Sequence, residues 1–208
     1  RKLYSHITDT ISANVSQITA FEEIDVSDDI ISALPEFSGI LSENGTKCLA
    51  MNHTSLHKNF YSSEAGFSKV SLPFTPDIIV YCKAGYLYIE DSQTPQMVLD
   101  SLKRLLPVFQ KKYGYPPKII LIKNHGLIAV EDTPQAAEIA LEVYEDLMKV
   151  SLYSESFGGP HFLSDDEIAF IDNWEVENYR RKISKDSASE SNVDQKIVIS
   201  VNGREIEN

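Results

Sequence analysis

Residues 118–150 read KIILIKNHGLIAVEDTPQAAEIALEVYEDLMKV, and three signals follow one another in them. Lys118 to Lys123 is an apolar, β-favouring run and the strongest strand in the chain. Asn124-His125-Gly126 interrupts it, and Leu127 to Val130 continues as apolar backbone. Thr133-Pro134 then opens a helix, with Thr as a good N-cap and Pro favoured at the first helical position. Ala136, Ala140, Tyr144 and Met148 form one row, and Ile139, Val143, Leu147 and Val150 the next. Together they predict a wide apolar stripe docked on a sheet. A strand, a turn carrying a histidine, a second strand and a packed helix argue for an α/β protein.

Working outward, Gly158-Gly159-Pro160 ends the helix, and Ser164-Asp165-Asp166-Glu167 is a capping box that starts another through Phe170, Trp174 and Tyr179. Upstream, Pro95 to Tyr113 reads as a helix that Pro107 should kink or divide. Ile78 to Cys82 and Tyr86 to Ile89 read as strands, with Gly85 between them as a hairpin, which makes the sheet mixed or partly antiparallel. Thr46 to Met51 reads as a buried strand after the Asn44-Gly45 turn. Ser27-Asp28-Asp29 starts a helix that Pro35 and Gly39 keep short. Leu3, Ile7, Ile11, Val15 and Ile18 share one face of a helix over 3–18 that has no early partner. The domain scheme is therefore 1–26 as an N-terminal helix and linker, 27–183 as the α/β domain, and 184–208 as a polar linker with a terminal strand or hairpin at KIVISVNGREI.

Composition narrows the function. The 208 residues are 42% hydrophobic and 24% charged, an ordinary folded composition. The net charge of −12 repels phosphate backbones and anionic lipid, which disfavours nucleic-acid and membrane-surface partners. No apolar run approaches the roughly 20 residues of a membrane span. The start, Arg1-Lys2-Leu3, is not of signal-peptide type, and without a Met it is read as cut from a longer chain. Cys48 and Cys82 read as reduced thiols of a cytoplasmic protein. No phosphate loop, dinucleotide fingerprint or nucleophile elbow occurs.

Five histidines remain as candidates. His125 stands at a strand end, where imidazole can bind a divalent metal; the plainer reading is a ring bonded to a nearby carbonyl at a strand bend. His53 and His57 are four apart and would share a face on a helix. Because the preceding run reads as strand, the plainer reading there is two exposed polar residues. Glu64 could join them only by accident of folding, and His6 and His161 lie in exposed polar or loop settings.

The 118–150 segment resembles the C-terminal signature of the class II aldolase/adducin family, in which a strand and Asn-His-Gly precede a second strand, Asp-Thr-Pro and an Ala-rich helix. PFTPDIIVYCKAGYLYIED (73–91) and Trp174-Glu175-Val176-Glu177-Asn178-Tyr179-Arg180 also fit, most closely the fused rhamnulose-phosphate aldolase/dehydrogenase-type proteins. The resemblance spans roughly residues 27–183. It implies a three-layer α/β/α domain with a mixed or largely antiparallel central sheet. It implies a divalent metal, usually zinc, held by three histidines, which polarises the carbonyl of a short ketose phosphate for retro-aldol cleavage, and a Glu acid/base. It also implies a homo-oligomer, or docking to a preceding domain. His125 matches one ligand. The other two come as His-x-His, which this chain lacks. The resemblance therefore implies a half without a full metal site, or a non-catalytic interaction domain of the adducin type.

Overall fold

The computed structural model describes residues 2–14, 20–42, 47–172 and 197–206. Among them, six strands form one mixed sheet in the order β2-β3-β4-β1-β5-β6. They are β1 (Cys48–Asn52), β2 (Leu87–Ile89), β3 (Ile119–Ile122), β4 (Gly126–Glu131), β5 (Ile199–Val201) and β6 (Arg204–Ile206). Antiparallel β4 sits between β3 and β1; β2 pairs parallel with β3, β5 parallel with β1, and β6 antiparallel with β5. The predicted strand–turn–strand at 118–130 is thus the β3–β4 centre of the sheet.

Alternation of side chains divides the interior in two. Leu49, Met51, Ile120, Ile122, Ile128 and Val130 face one core, under α2 (Asp28–Leu41) and α6 (Pro95–Tyr113). Ala50, Ile119, Leu121, Leu127 and Ala129 face the other, under α3 (Lys58–Tyr61), α5 (Pro76–Cys82) and α7 (Pro134–Ser154). This is the three-layer α/β/α arrangement with a mixed sheet. Short α4 (Glu64–Ser68) and α8 (Asp165–Asp172) complete the domain, while α1 (Lys2–Asn14) keeps Leu3, Tyr4, Ile7 and Ile11 exposed. No helix among the described residues is long and apolar enough to cross a membrane.

Four expectations are corrected. Ile78 to Cys82 is helix α5, because Thr75-Pro76 starts a turn of helix that buries Ile78, Ile79 and Cys82 at helical spacing. No hairpin forms at Gly85: Lys83 ends the helix at φ 65, and the Ala84 and Gly85 N–H groups donate to the Tyr115 hydroxyl at 3.2 and 3.1 Å. Pro35 does not shorten α2, since Ile30, Leu34, Phe37 and Leu41 form a buried stripe that spans it. Likewise α6 is one helix running through Pro107. The Ser164 capping box forms, with both Ser164 groups donating to the Glu167 carboxylate at 2.8 and 2.7 Å. Val15, Ile18, the Asn44-Gly45 turn, Trp174, Tyr179 and the 184–195 segment lie outside the described residues. Ile199 to Ile206 closes as the β5–β6 hairpin at the edge of the same sheet.

Candidate functional site

Two chain reversals bring histidines to one end of the sheet. In Asn124-His125-Gly126, Asn124 takes the left-handed region at φ 64, which asparagine tolerates. Gly126 has φ 110, and a Cβ there would lie 2.2 Å from the Asn52 carbonyl oxygen, so only glycine lets β4 pass β1 this closely. The same contact places His125 beside the exit of β1, where Asn52 hands over to His53. The His125 ring is fixed: its Nε2 donates to the Ser92 carbonyl at 2.8 Å. Ser92 in turn donates from Oγ to the Lys123 carbonyl at 2.7 Å.

His53 and His57 are buried, at 5% and 0% exposure, not exposed as their setting after a strand suggested. They do not share a helix face, because β1 runs to Asn52 and α3 begins only after His57. His53 shares a 2.8 Å hydrogen bond from Nε2 with the Tyr61 hydroxyl, while its buried Nδ1 has no hydrogen-bond partner among the described residues. Burial, with like charge from His57, His125 and Lys58, pushes its pKa down to about 4; the Asp25 carbonyl pulls the other way. The His53 ring is therefore neutral near pH 7. Burial raises the pKa of Tyr61.

His57 turns the opposite way. Its Nδ1 accepts from the Thr54 N–H at 3.0 Å, which puts the proton of the neutral ring on Nε2. That Nε2 lies 3.2 Å from Glu145 Oε1, within ion-pair distance but off the line of a hydrogen bond. Asn52 donates to the same oxygen at 2.9 Å. Burial raises the Glu145 pKa, but His57 and the Asn52 amide outweigh it and hold the carboxyl below its usual range. A cleft of about 400 Å³ opens in front of Glu145, with Asn52, Asn202, Glu23, Glu138 and Glu142 also on its walls. Glu138 is oriented by Ser200, whose hydroxyl donates to it.

The structure thus gathers His53, His57 and His125 at one sheet end but gives each ring a different partner. His6, His161 and Glu64 stay exposed. Among the described residues, no group of three His, Cys, Asp or Glu side chains is placed to hold a metal ion. The Nε2 atoms of His53 and His125 are engaged by groups of the fold, which leaves Nδ1 as the free ring position of each. Glu145, Asn52, Tyr61 and Asn202 were not anticipated as site residues. For Glu145 a signal existed: it stands among Leu141, Tyr144 and Met148 on α7, a carboxylate within the apolar stripe.

No protein-family model matches this sequence, and no curated protein matches it. Among solved structures, it is similar to an aldolase II superfamily protein from Pseudomonas syringae, at 17% identity and TM-score 0.45, over 79% of this chain and 62% of that one. It is also similar to YgbL from Klebsiella pneumoniae, at 15% identity and TM-score 0.42, over 58% and 55%. For YgbL from Escherichia coli the values are 17%, 0.41, 58% and 54%. The chain spans between 54% and 62% of the length of these proteins.

Proposed function

We propose that this chain is a class II aldolase-like domain of a metal-dependent lyase that cleaves a short sugar phosphate, and that it holds part of the site rather than all of it. The observation that carries the reading is the β3–turn–β4–α7 unit, which sets His125 at the sheet end beside the exit of β1. Retro-aldol cleavage and a divalent metal, zinc by the resemblance, belong to the whole protein in this reading. The described residues lack a three-ligand set, so no catalytic step is assigned to them. With Nε2 as a donor, the neutral His125 ring would offer only Nδ1 to a metal.

One observation favours a second reading, a non-catalytic interaction domain of the adducin type: the Nε2 atoms of His53 and His125 serve hydrogen bonds within the fold. Metal analysis of the purified chain and of His125→Ala separates the two. About one zinc, manganese or cobalt ion per chain, lost in the variant, supports the lyase reading. The next step would be a screen of ketose phosphates for cleavage. No bound metal in either protein would exclude a self-sufficient metal site in this chain, and absence of ketose-phosphate cleavage by the full-length protein would then overturn the lyase reading and leave the interaction domain.

A further inference from the structure

We propose that the β5–β6 hairpin is a working part of the His53 site, in which Asn202 is the positioning residue that holds His53 and docking of the hairpin closes the site. The inference is independent of whether the site takes a metal.

Because β5 runs parallel to β1, in the register Leu49↔Ile199 and Met51↔Val201, the hairpin turn arrives where β1 ends. Asn202 and Gly203 form that turn at φ 49 and 71, the pair that a tight two-residue turn requires. A turn alone makes no demand on the asparagine side chain. Here every polar atom of Asn202 apart from its own carbonyl reaches outside the hairpin. Its N–H donates to the Met51 carbonyl at 2.7 Å. Its Oδ1 accepts from the His53 N–H at 2.9 Å, and its Nδ2 donates to the Ile24 carbonyl at 3.1 Å. Ile24 closes the ring by donating to the His53 carbonyl at 2.8 Å. One residue, 149 positions along the chain, thus fixes the backbone of His53 on its N–H side. Asn202 also walls the cleft beside Asn52 and Glu145, so the same docking shapes that cleft.

The hairpin is short. Its strands are three residues each, and Ile199 and Val201 are its buried core side chains among the described residues, with Ile197 and Ile206 packed against that core. A lone two-stranded hairpin is marginal in water, so its order comes from its contacts with the rest of the fold: β1, the Asn202 bonds and the Ser200–Glu138 hydrogen bond. Undocking would let water reach His53, which now faces the Tyr61 hydroxyl, the Asp25 carbonyl, His57, His125 and Lys58.

The test is an NMR pH titration of the histidine rings in the full chain. In the unaltered protein His53 resists protonation until about pH 4. Asn202→Gly keeps the positive φ but removes both side-chain hydrogen bonds. It is expected to raise the His53 midpoint by at least about one pH unit, a tenfold gain in proton affinity, without moving His125. Val201→Asp, which undocks the hairpin, should shift His53 at least as far as Asn202→Gly; should it unfold, the Asn202→Gly titration alone decides. A His53 midpoint that stays put in Asn202→Gly, or one that moves together with His125, overturns the proposal.

Discussion

β3 and the exit of β1 flank the same strand, β4, yet they are built on opposite terms. β3 is Ile119-Ile120-Leu121-Ile122, wholly buried, with successive side chains entering the two cores in turn. The β1 exit buries His53 and His57 beside Tyr61, with half-buried Asn52 reaching Glu145. Apolar burial is non-directional, so any well-fitting neighbour stabilises β3. Buried polar groups need a particular partner at a particular angle, and losing that partner costs more than the bond contributed. The difference teaches where this protein tolerates change and where it responds to protons.

The largest effect should come from the apolar side. Leu121→Ala removes a fully buried side chain from the β3–α7 core and should cost about 2–5 kcal/mol in denaturant unfolding. That cost should be equal at pH 7 and pH 5, since no titrating group is involved. A cost that changed with pH would mean the two regions are coupled.

Acid should act on the polar side alone. His53 titrates near 4 in the folded protein against 6.5 ordinarily, so between those values the unfolded chain binds the extra proton. Stability is then full above about pH 6.5 and falls as pH drops toward 4, by roughly 3 kcal/mol for this ring. Glu145, whose carboxyl is lowered, adds loss in the same direction as pH falls through its folded value. Unfolding midpoints at pH 7, 5.5 and 4.5 measure the slope. A flat profile would show that water already reaches the His53 ring.

The smallest effect sharpens the boundary. Glu145→Leu leaves the Asn52 amide without its acceptor, removes the carboxylate 3.2 Å from His57 Nε2, and should cost about 1–3 kcal/mol at pH 7. The cost should shrink at pH 4.5, where the carboxylate is closer to losing its charge in the original protein. An equal cost at both values would make Glu145 a packing group rather than an ionised one.

What was legible depended on how local the cause was. Thr133-Pro134 announced α7, and there the Thr133 hydroxyl accepts from the Ala136 N–H. Thr75-Pro76 carries the same signature, yet Ile78 to Cys82 reads as a strand, because Ile-Ile-Val-Tyr-Cys is β-favouring on its own. Tertiary burial of Ile78, Ile79 and Cys82 settled it as helix. The continuity of α2 and α6 through Pro35 and Pro107 has the same origin: the apolar stripe on each side outweighs one lost hydrogen bond. At the site, the position of His125 at a strand end was legible. The burial of His53 and His57 was not, because it depends on chains arriving from Glu22 to Ile24, from α7 and from Asn202.

By itself, the sequence determined the β3–β4–α7 unit, the Ser164 capping box and β-structure at the C-terminal end, whose signals lie within a few residues of the structure they cause. Only the tertiary structure decided which strand the hairpin would join, which histidine would face Tyr61 or Glu145, and which would be held neutral. Hydrogen-bond partners 93 and 149 residues apart leave no periodicity in a chain, and become neighbours only when the sheet closes.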